Sequence, residues 1–319
     1  MSITAQSIID GVKRRVTFPS SQVLLNDTDI LAFANEIIQS EMIPILESLN
    51  QDYFVTTTET PIIPNINEYS IPYRAIGRSL REIKIRNGNN FYRNLALISI
   101  ENAYLYQNYV QNVGFHFKGD KIRMVPDVPS SLPIDQFLVI WYRMPPSKLV
   151  PDYLVSQIIS ITYPSTHGIL YTDIQVTNPS VLTDYLYIDF VQAVSGSSIY
   201  EIDVPIAFKL DNVVTIALEY IPLDLVAGDY ICPPQTSTVV NFLPNETYPL
   251  IVSLTAKRCL KSIGDFEGTK ELEDDIQEEK KNIKMILQPR IEGEPTIIIN
   301  PNSISRMGKQ SQRSWLYGQ

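Results

Sequence analysis

Among the side chains of this 319-residue chain, the carboxylates have the clearest capacity for chemistry. Asp173, Asp184, Asp189, Glu201 and Asp203 fall in or beside stretches that alternate like β-strands. A β-rich protein that sets two such groups across a cleft can cut a glycosidic bond, one acting as acid and the other as base or nucleophile. That chemistry needs a defined separation, and sequence spacing places no pair at it; solvent-facing strand positions explain the same residues. His116 lies in an alternating "FHF" and His167 in the turn "STHG", and neither has a second ligand at metal-binding spacing. The acidic run "KELEDDIQEEKK" lacks the alternating acidic order and glycine of a calcium loop and reads as a solvated helix face. No P-loop, dinucleotide fingerprint or nucleophile elbow occurs. The expectation is a chain with no catalytic site, no metal and no cofactor.

Cys232 stands in a proline-flanked loop and Cys259 in a predicted helix. These dissimilar contexts argue for reduced thiols in a cytosol rather than a disulfide framework. The basic "VKRR" at Val12–Arg15 suits either phosphate or the negative end of a helix dipole, and the second explanation is preferred. The last 19 residues, "PNSISRMGKQSQRSWLYGQ", carry Arg306, Lys309 and Arg313 with no acidic side chain, in a chain whose formal charge is −9. A strip this polar cannot bury a core of its own. Its cations suit acidic groups on a partner, and Trp315 and Tyr317 supply anchor-sized apolar area. Net acidity argues against nonspecific duplex binding by the folded body.

The elements that must position these residues change along the chain. "SITAQSIIDGVKRR" sets Ile8, Ile9 and Val12 on one helical face behind Ser2 or Thr4. "NDTDILAFANEIIQSEMIPILESLN" repeats apolar residues at helical spacing behind Asn26 or Asp27, with Pro44 expected to kink or divide the helix. From Gln51 the period becomes two, predicting a small antiparallel sheet of about five strands, interrupted by a short helix near residues 99–109. Five further strand-like stretches between Val150 and Asn241 are spaced as in a sandwich or barrel. Helix returns at "TYPLIVSLTAKRCLKSIGD", apolar all round and therefore buried. A long amphipathic helix follows, its stripe made by Leu272, Ile276, Ile283 and Ile286 or Leu287.

The predicted fold class is thus α+β: terminal helices forming a bundle, a central antiparallel sheet, an inserted β-sandwich-like domain and an extended C-terminal arm. The division is residues 1–149 with 245–288, an insertion at 150–244, and an arm at 289–319. No run approaches the roughly 18 apolar residues of a membrane span. The charges of the first 15 residues follow their apolar pairs, the reverse of a secretory signal, so the chain is expected to stay where it is made.

In this order the features resemble the head-to-tail adaptor (connector) proteins of tailed bacteriophages. The resemblance rests on "LNDTDILAFANEIIQSEMIPIL", on "TTTETPIIPNINEYSIPYRAIGRSLREIKI" with its Y-x-I-P at Tyr69–Pro72, on "GDKIRMVPDVP" and "LVIWYRMPPSKLV", and on the return to helix before a polar C-terminus. It covers roughly residues 1–149 and 245–319, and the β unit between them departs from the compact family pattern. The resemblance implies a virion protein of the neck, assembled in the host cytoplasm, in the setting of a short-tailed phage with several stacked rings such as the crAss-like group. It implies a ring, commonly of twelve copies, under the portal protein and above the next tail ring. Genomic DNA would pass through the lumen without specific binding, repelled by acidic residues facing it. The arm, with Arg306, Lys309, Arg313, Trp315 and Tyr317, would dock into the portal. The alternative from another class is a carbohydrate-binding or tail-fibre-like module with tyrosines as sugar platforms.

Overall fold

The computed structural model describes residues 3–16, 25–88, 91–103, 113–129, 136–163, 170–193 and 199–287. Helix α1 (Ala5–Arg15) begins at a reciprocal capping box between Thr4 and Ser7 and buries Ile8, Ile9 and Val12. Helix α2 (Asp27–Ile37) is capped by Asn26, whose side chain accepts from the Asp29 N–H. It runs without a break into a π-helical turn, Ile38–Met42, and then α3 (Ile43–Leu49). Pro44 has no N–H for the carbonyl one turn back, and the chain widens just before it, so that Ile43 N donates to Ile38 O. The proline therefore divides the helix without breaking its path.

Helix α4 (Tyr248–Ile263) carries Pro249 in its first turn and stops at Gly264, whose φ of 82° is the left-handed cap conformation. Every residue from Leu250 to Ala256 is buried, because α4 packs against α1, α2 and the last helix, α5 (Phe266–Ile286). The apolar stripe of α5 narrows to Ile276 and Ile283 as its fully buried members, while Ile286 is exposed. Its polar flank is fastened by Glu279, which receives Arg15 and Ser253, and by Lys280 on Glu41. Within "VKRR", Lys13 pairs with Asp27 and Arg15 with Glu279, so two of its cations serve the bundle. The first and last described helices thus belong to one helical unit.

Eight strands follow α3: β1 (Val55–Pro61), β2 (Glu68–Ser70), β3 (Leu80–Asn87), β4 (Phe91–Asn94), β5 (Ala96–Leu97), β6 (Gly114–Lys118), β7 (Lys121–Val125) and β8 (Gln136–Arg143). They form two sheets, β1-β8-β3-β4 and β2-β7-β6-β5, antiparallel except for the parallel β5–β6 pair. Ile83, Ile85, Leu138 and Ile140 of the first share a core with Tyr69, Phe115, Ile122 and Met124 of the second. A single sheet of about five strands was expected; the alternation reveals that a strand is half-buried but not which strands face each other across the core.

After β9 (Lys148–Leu149) the chain builds β10 (Ser156–Thr162), β11 (Tyr171–Val176), β12 (Tyr187–Val191), β13 (Ile199–Leu210), β14 (Val213–Ala217) and β15 (Tyr230–Cys232). These close into an antiparallel barrel of order β10-β11-β14-β13-β12-β15, packed inside by residues including Ile158, Ile174, Ile188, Phe190, Ile216 and Ile231. The expected sandwich-like insertion is therefore a closed barrel. The strand that closes it is β15, three residues between Gly228 and Pro233, which the sequence presents as a loop around Cys232.

Both cysteines are free and buried, Cys232 in β15 and Cys259 in α4. Burial pushes both thiols up, that of Cys259 to about 12. Neither is expected to react with a disulfide reagent at about pH 8 in the native protein, whereas both should titrate in denaturant; reaction of either in the folded chain would contradict this packing. A second expectation concerns Gly11, where an added Cβ would lie 2.6 Å from Tyr248 Oη and 3.1 Å from Val252. Gly11→Val should destabilise the α1–α4 contact by about 1–3 kcal/mol, read as a lower melting temperature and faster amide exchange in α1.

Candidate functional site

The chain passes from the paired sheets into the barrel through β9 and from the barrel on to α4 through a second connection, and the two connections pair with each other. β9 lies parallel to β16 (Thr236–Ser237), and the returning segment also pairs with the N-terminus: Ala5 N donates to Thr238 O and Val240 N to Ile3 O. Asn35 of α2 bonds both main-chain groups of Leu149, accepting its N–H at 2.7 Å and donating to its carbonyl at 2.9 Å. An apolar cluster including Tyr142, Met144, Val155, Val191, Cys232 and Val239 fills this neck.

Beside the cluster, the turn after β2 inserts Arg74, whose side chain is only 4% exposed, between two carboxylates of the barrel. Its Nη1 and Nη2 donate to Asp189 at 2.9 and 2.8 Å. Its Nε and Nη2 donate to Asp203 at 3.1 and 2.5 Å. The planar guanidinium makes two forks at once, a geometry that lysine cannot reproduce. Asp189, fully buried on β12, takes two further bonds, from the N–H groups of Asp203 (3.0 Å) and Gln235 (2.9 Å), so both its oxygens are doubly satisfied. The Tyr73 hydroxyl donates to Asp203 and accepts from Arg74 Nε.

Local backbone makes this arrangement possible. The β12–β13 register shifts between Ile188 and Phe190, and Asp203 takes a positive φ of 54°; there its N–H donates to Asp189 while its carboxylate accepts from Arg74. Aspartate tolerates that conformation better than most residues. Burial disfavours charge on Arg74, but the hydrogen bonds it donates to Asp189 and Asp203 outweigh that and hold the guanidinium above its ordinary value. Burial likewise pushes the Asp189 carboxyl up, and the Arg74 bonds oppose that push. Burial also raises the neighbouring Tyr142 hydroxyl to about 12. A cleft of about 450 Å³ opens next to this site, lined by Arg74, Gln39, Ile43, Met144, Pro146 and Lys148.

Of the five carboxylates singled out in the sequence, the structure joins two, Asp189 and Asp203, through a third residue that the sequence did not mark. Asp173, Asp184 and Glu201 are exposed elsewhere on the barrel. The signal for Asp189 was present: an acid between Ile188 and Phe190 in an otherwise apolar strand. Nothing near Arg74 distinguishes it from a turn cation. His116 is buried on β6 opposite Arg123, its Nδ1 without a hydrogen-bond partner. His167 and the arm residues Arg306, Lys309, Arg313, Trp315 and Tyr317 lie outside the described residues. Among the described residues no three His, Cys, Asp or Glu side chains are grouped to hold a metal, and no helix is long and apolar enough to cross a membrane.

Arg74→Ala would leave two carboxylates without their cation in a largely dry neck and should cost about 3–5 kcal/mol, measured by urea unfolding followed through tryptophan fluorescence. Adding Asp203→Asn to that variant should recover part of the loss. A cost below about 1 kcal/mol, the range of a surface pair, would show that the network does not hold the neck. Comparison with protein-family models and with curated proteins gives no match.

Proposed function

We propose that this chain is a structural component of a tailed-bacteriophage neck, a head-to-tail adaptor whose copies, commonly twelve in the family it resembles, form a ring beneath the portal and pass the genome through the lumen. The observation that carries the reading is the packing of the first described helices with the last ones in a single bundle. Helix α4 packs on α1, α2 and α5, so the sandwich and barrel are both insertions between helices of one unit. That is the helix, sheet, helix order on which the resemblance rests, with a barrel added. The chemistry of the neck supports the same reading, since Asp189 and Asp203 are engaged by Arg74.

The basic residues after Pro301 would act as the portal-docking arm, with Arg306, Lys309 and Arg313 giving charge-assisted bonds and Trp315 and Tyr317 anchoring. A ring repeats each such contact, so a weak arm becomes strong by avidity. The test mixes the full chain, or a version ending at Gln288, with the portal protein of the same genome, reading particle mass and negative-stain images. The full chain should add a ring to the portal and the shortened one should not. If neither binds, the adaptor reading fails.

A further inference from the structure

Residues 150–244 contain ten acidic side chains and one basic one, Lys209, a formal charge of −9 that equals that of the whole chain. The rest of the sequence is formally neutral, with equal numbers of each sign. The Nζ of Lys209 is committed to the main-chain carbonyls of Leu182, Thr183 and Tyr185. Asp189 and Asp203 are answered by Arg74 from outside the barrel. Asp229 turns to the N–H groups of Ala193 and Val226, and Asp152 to the Thr238 hydroxyl. Asp173, Asp184, Glu201, Asp211, Glu219 and Asp224 remain exposed.

The same barrel displays an apolar face. On β11, β13 and β14 the side chains opposite the core positions Ile174, Val214 and Ile216 point outward. Among them Phe208 is 68% exposed, Leu210 73% and Tyr171 46%. The rings of Tyr171 and Phe208 meet edge to face, with centroids 6.4 Å apart. Phe208 is in register with Thr215 and Thr215 with Asp173, whose carboxylate accepts the Thr215 hydroxyl at 2.6 Å. Asp211 follows Leu210 in the turn to β14. Aromatic rings, an aliphatic side chain and the Asp173 carboxylate therefore share one face, with Asp211 exposed in the turn at its end.

A closed barrel has no free edge to offer a partner strand, so recognition must use side chains. An anionic partner would be repelled by this field, and a neutral one would bury carboxylates without a counter-charge. Lysine and arginine satisfy both halves of the face: their stems pack on the rings, the ring quadrupole attracts the cation, and the carboxylates accept its hydrogen bonds. We propose that the outer face of β11, β13 and β14 docks a basic polypeptide segment of a partner protein, with Lys or Arg side chains against Tyr171 and Phe208 and paired with Asp173 and Asp211. The inference stands independently of the adaptor reading.

A fluorescein-labelled peptide of alternating arginine and glycine serves as probe for the full-length chain, with binding followed by fluorescence anisotropy. Binding should weaken at least about tenfold between roughly 20 and 200 mM salt. Asp173→Asn with Asp211→Asn should weaken it by about tenfold, as should Tyr171→Ala with Phe208→Ala. Glu271→Gln with Asp275→Asn on α5, an acidic surface without the aromatic face, should leave it unchanged; circular dichroism melts check that each variant is folded. No binding at low salt, or equal loss from the α5 control, overturns the proposal. So does binding only to a version ending at Gln288, which would assign the face to the chain's own basic end. A neutral oligosaccharide that binds independently of salt and is lost with Phe208 but not with the carboxylates would make the face a sugar platform instead, and would also overturn it.

Discussion

Burying the Asp189 carboxylate is the constraint around which the middle of this protein is organised. A carboxylate with no solvent exposure is unstable as an anion unless a cation and enough donors reach it, and Arg74 is the cation that does. Because Arg74 belongs to the sandwich side and Asp189 and Asp203 to the barrel, satisfying the charge requires the two β units to meet in one orientation. A buried ion pair seldom adds much net stability over a well-packed apolar replacement. The apolar cluster around Tyr142, Val191 and Cys232 supplies the attraction at the neck, and the double fork sets its geometry.

The other bonds at the neck extend that constraint to the helices. The returning segment 235–240 is held on one side by β9 and on the other by residues 3–5, which lead directly into α1. Asn35 then ties β9 to α2 through both main-chain groups of Leu149. Two connections that pair with each other and with the bundle leave the barrel no single free linker to swing on. A displacement of the barrel would have to break the Arg74 forks, the β9–β16 pairing and the N-terminal bridge together. For a subunit of a ring that must transmit load while DNA passes, such a connection is what the proposed function requires.

Local rules account for most of what the sequence made legible. Caps at Thr4, Asn26 and Gly264 are written in short-range pattern and the structure carries them, whereas the all-round burial expected of α4 holds over Leu250–Ala256 but not at Arg258, Lys261 and Ser262, and the stripe of α5 is buried only at Ile276 and Ile283. Five of the six barrel strands alternate clearly enough to be read. What the sequence withheld is pairing between distant segments. β15 has too few residues to show a period, yet it joins β10 to β12 and turns an open sheet into a barrel. Arg74 and Asp189 are 115 positions apart, and their meeting depends on a register shift in β13 and on how two cores are set against each other, neither of which leaves a local mark.

The segregation of charge bears on assembly. The segment 150–244 carries a formal −9, residues 51–149 are net positive by three and the helical segments 1–50 and 245–287 are together net negative by five, so long-range repulsion between two copies is strongest where barrel meets barrel. Copies arranged in the proposed ring would therefore hold the barrels apart or set them against something cationic. The exposed Tyr171 and Phe208 select between those outcomes. Holding the barrels apart would leave their apolar face in water, whereas a basic partner covers the face and neutralises the repulsion together. A cationic partner would then do more than occupy the barrels, because by relieving the repulsion between neighbouring copies it would make the ring itself more stable.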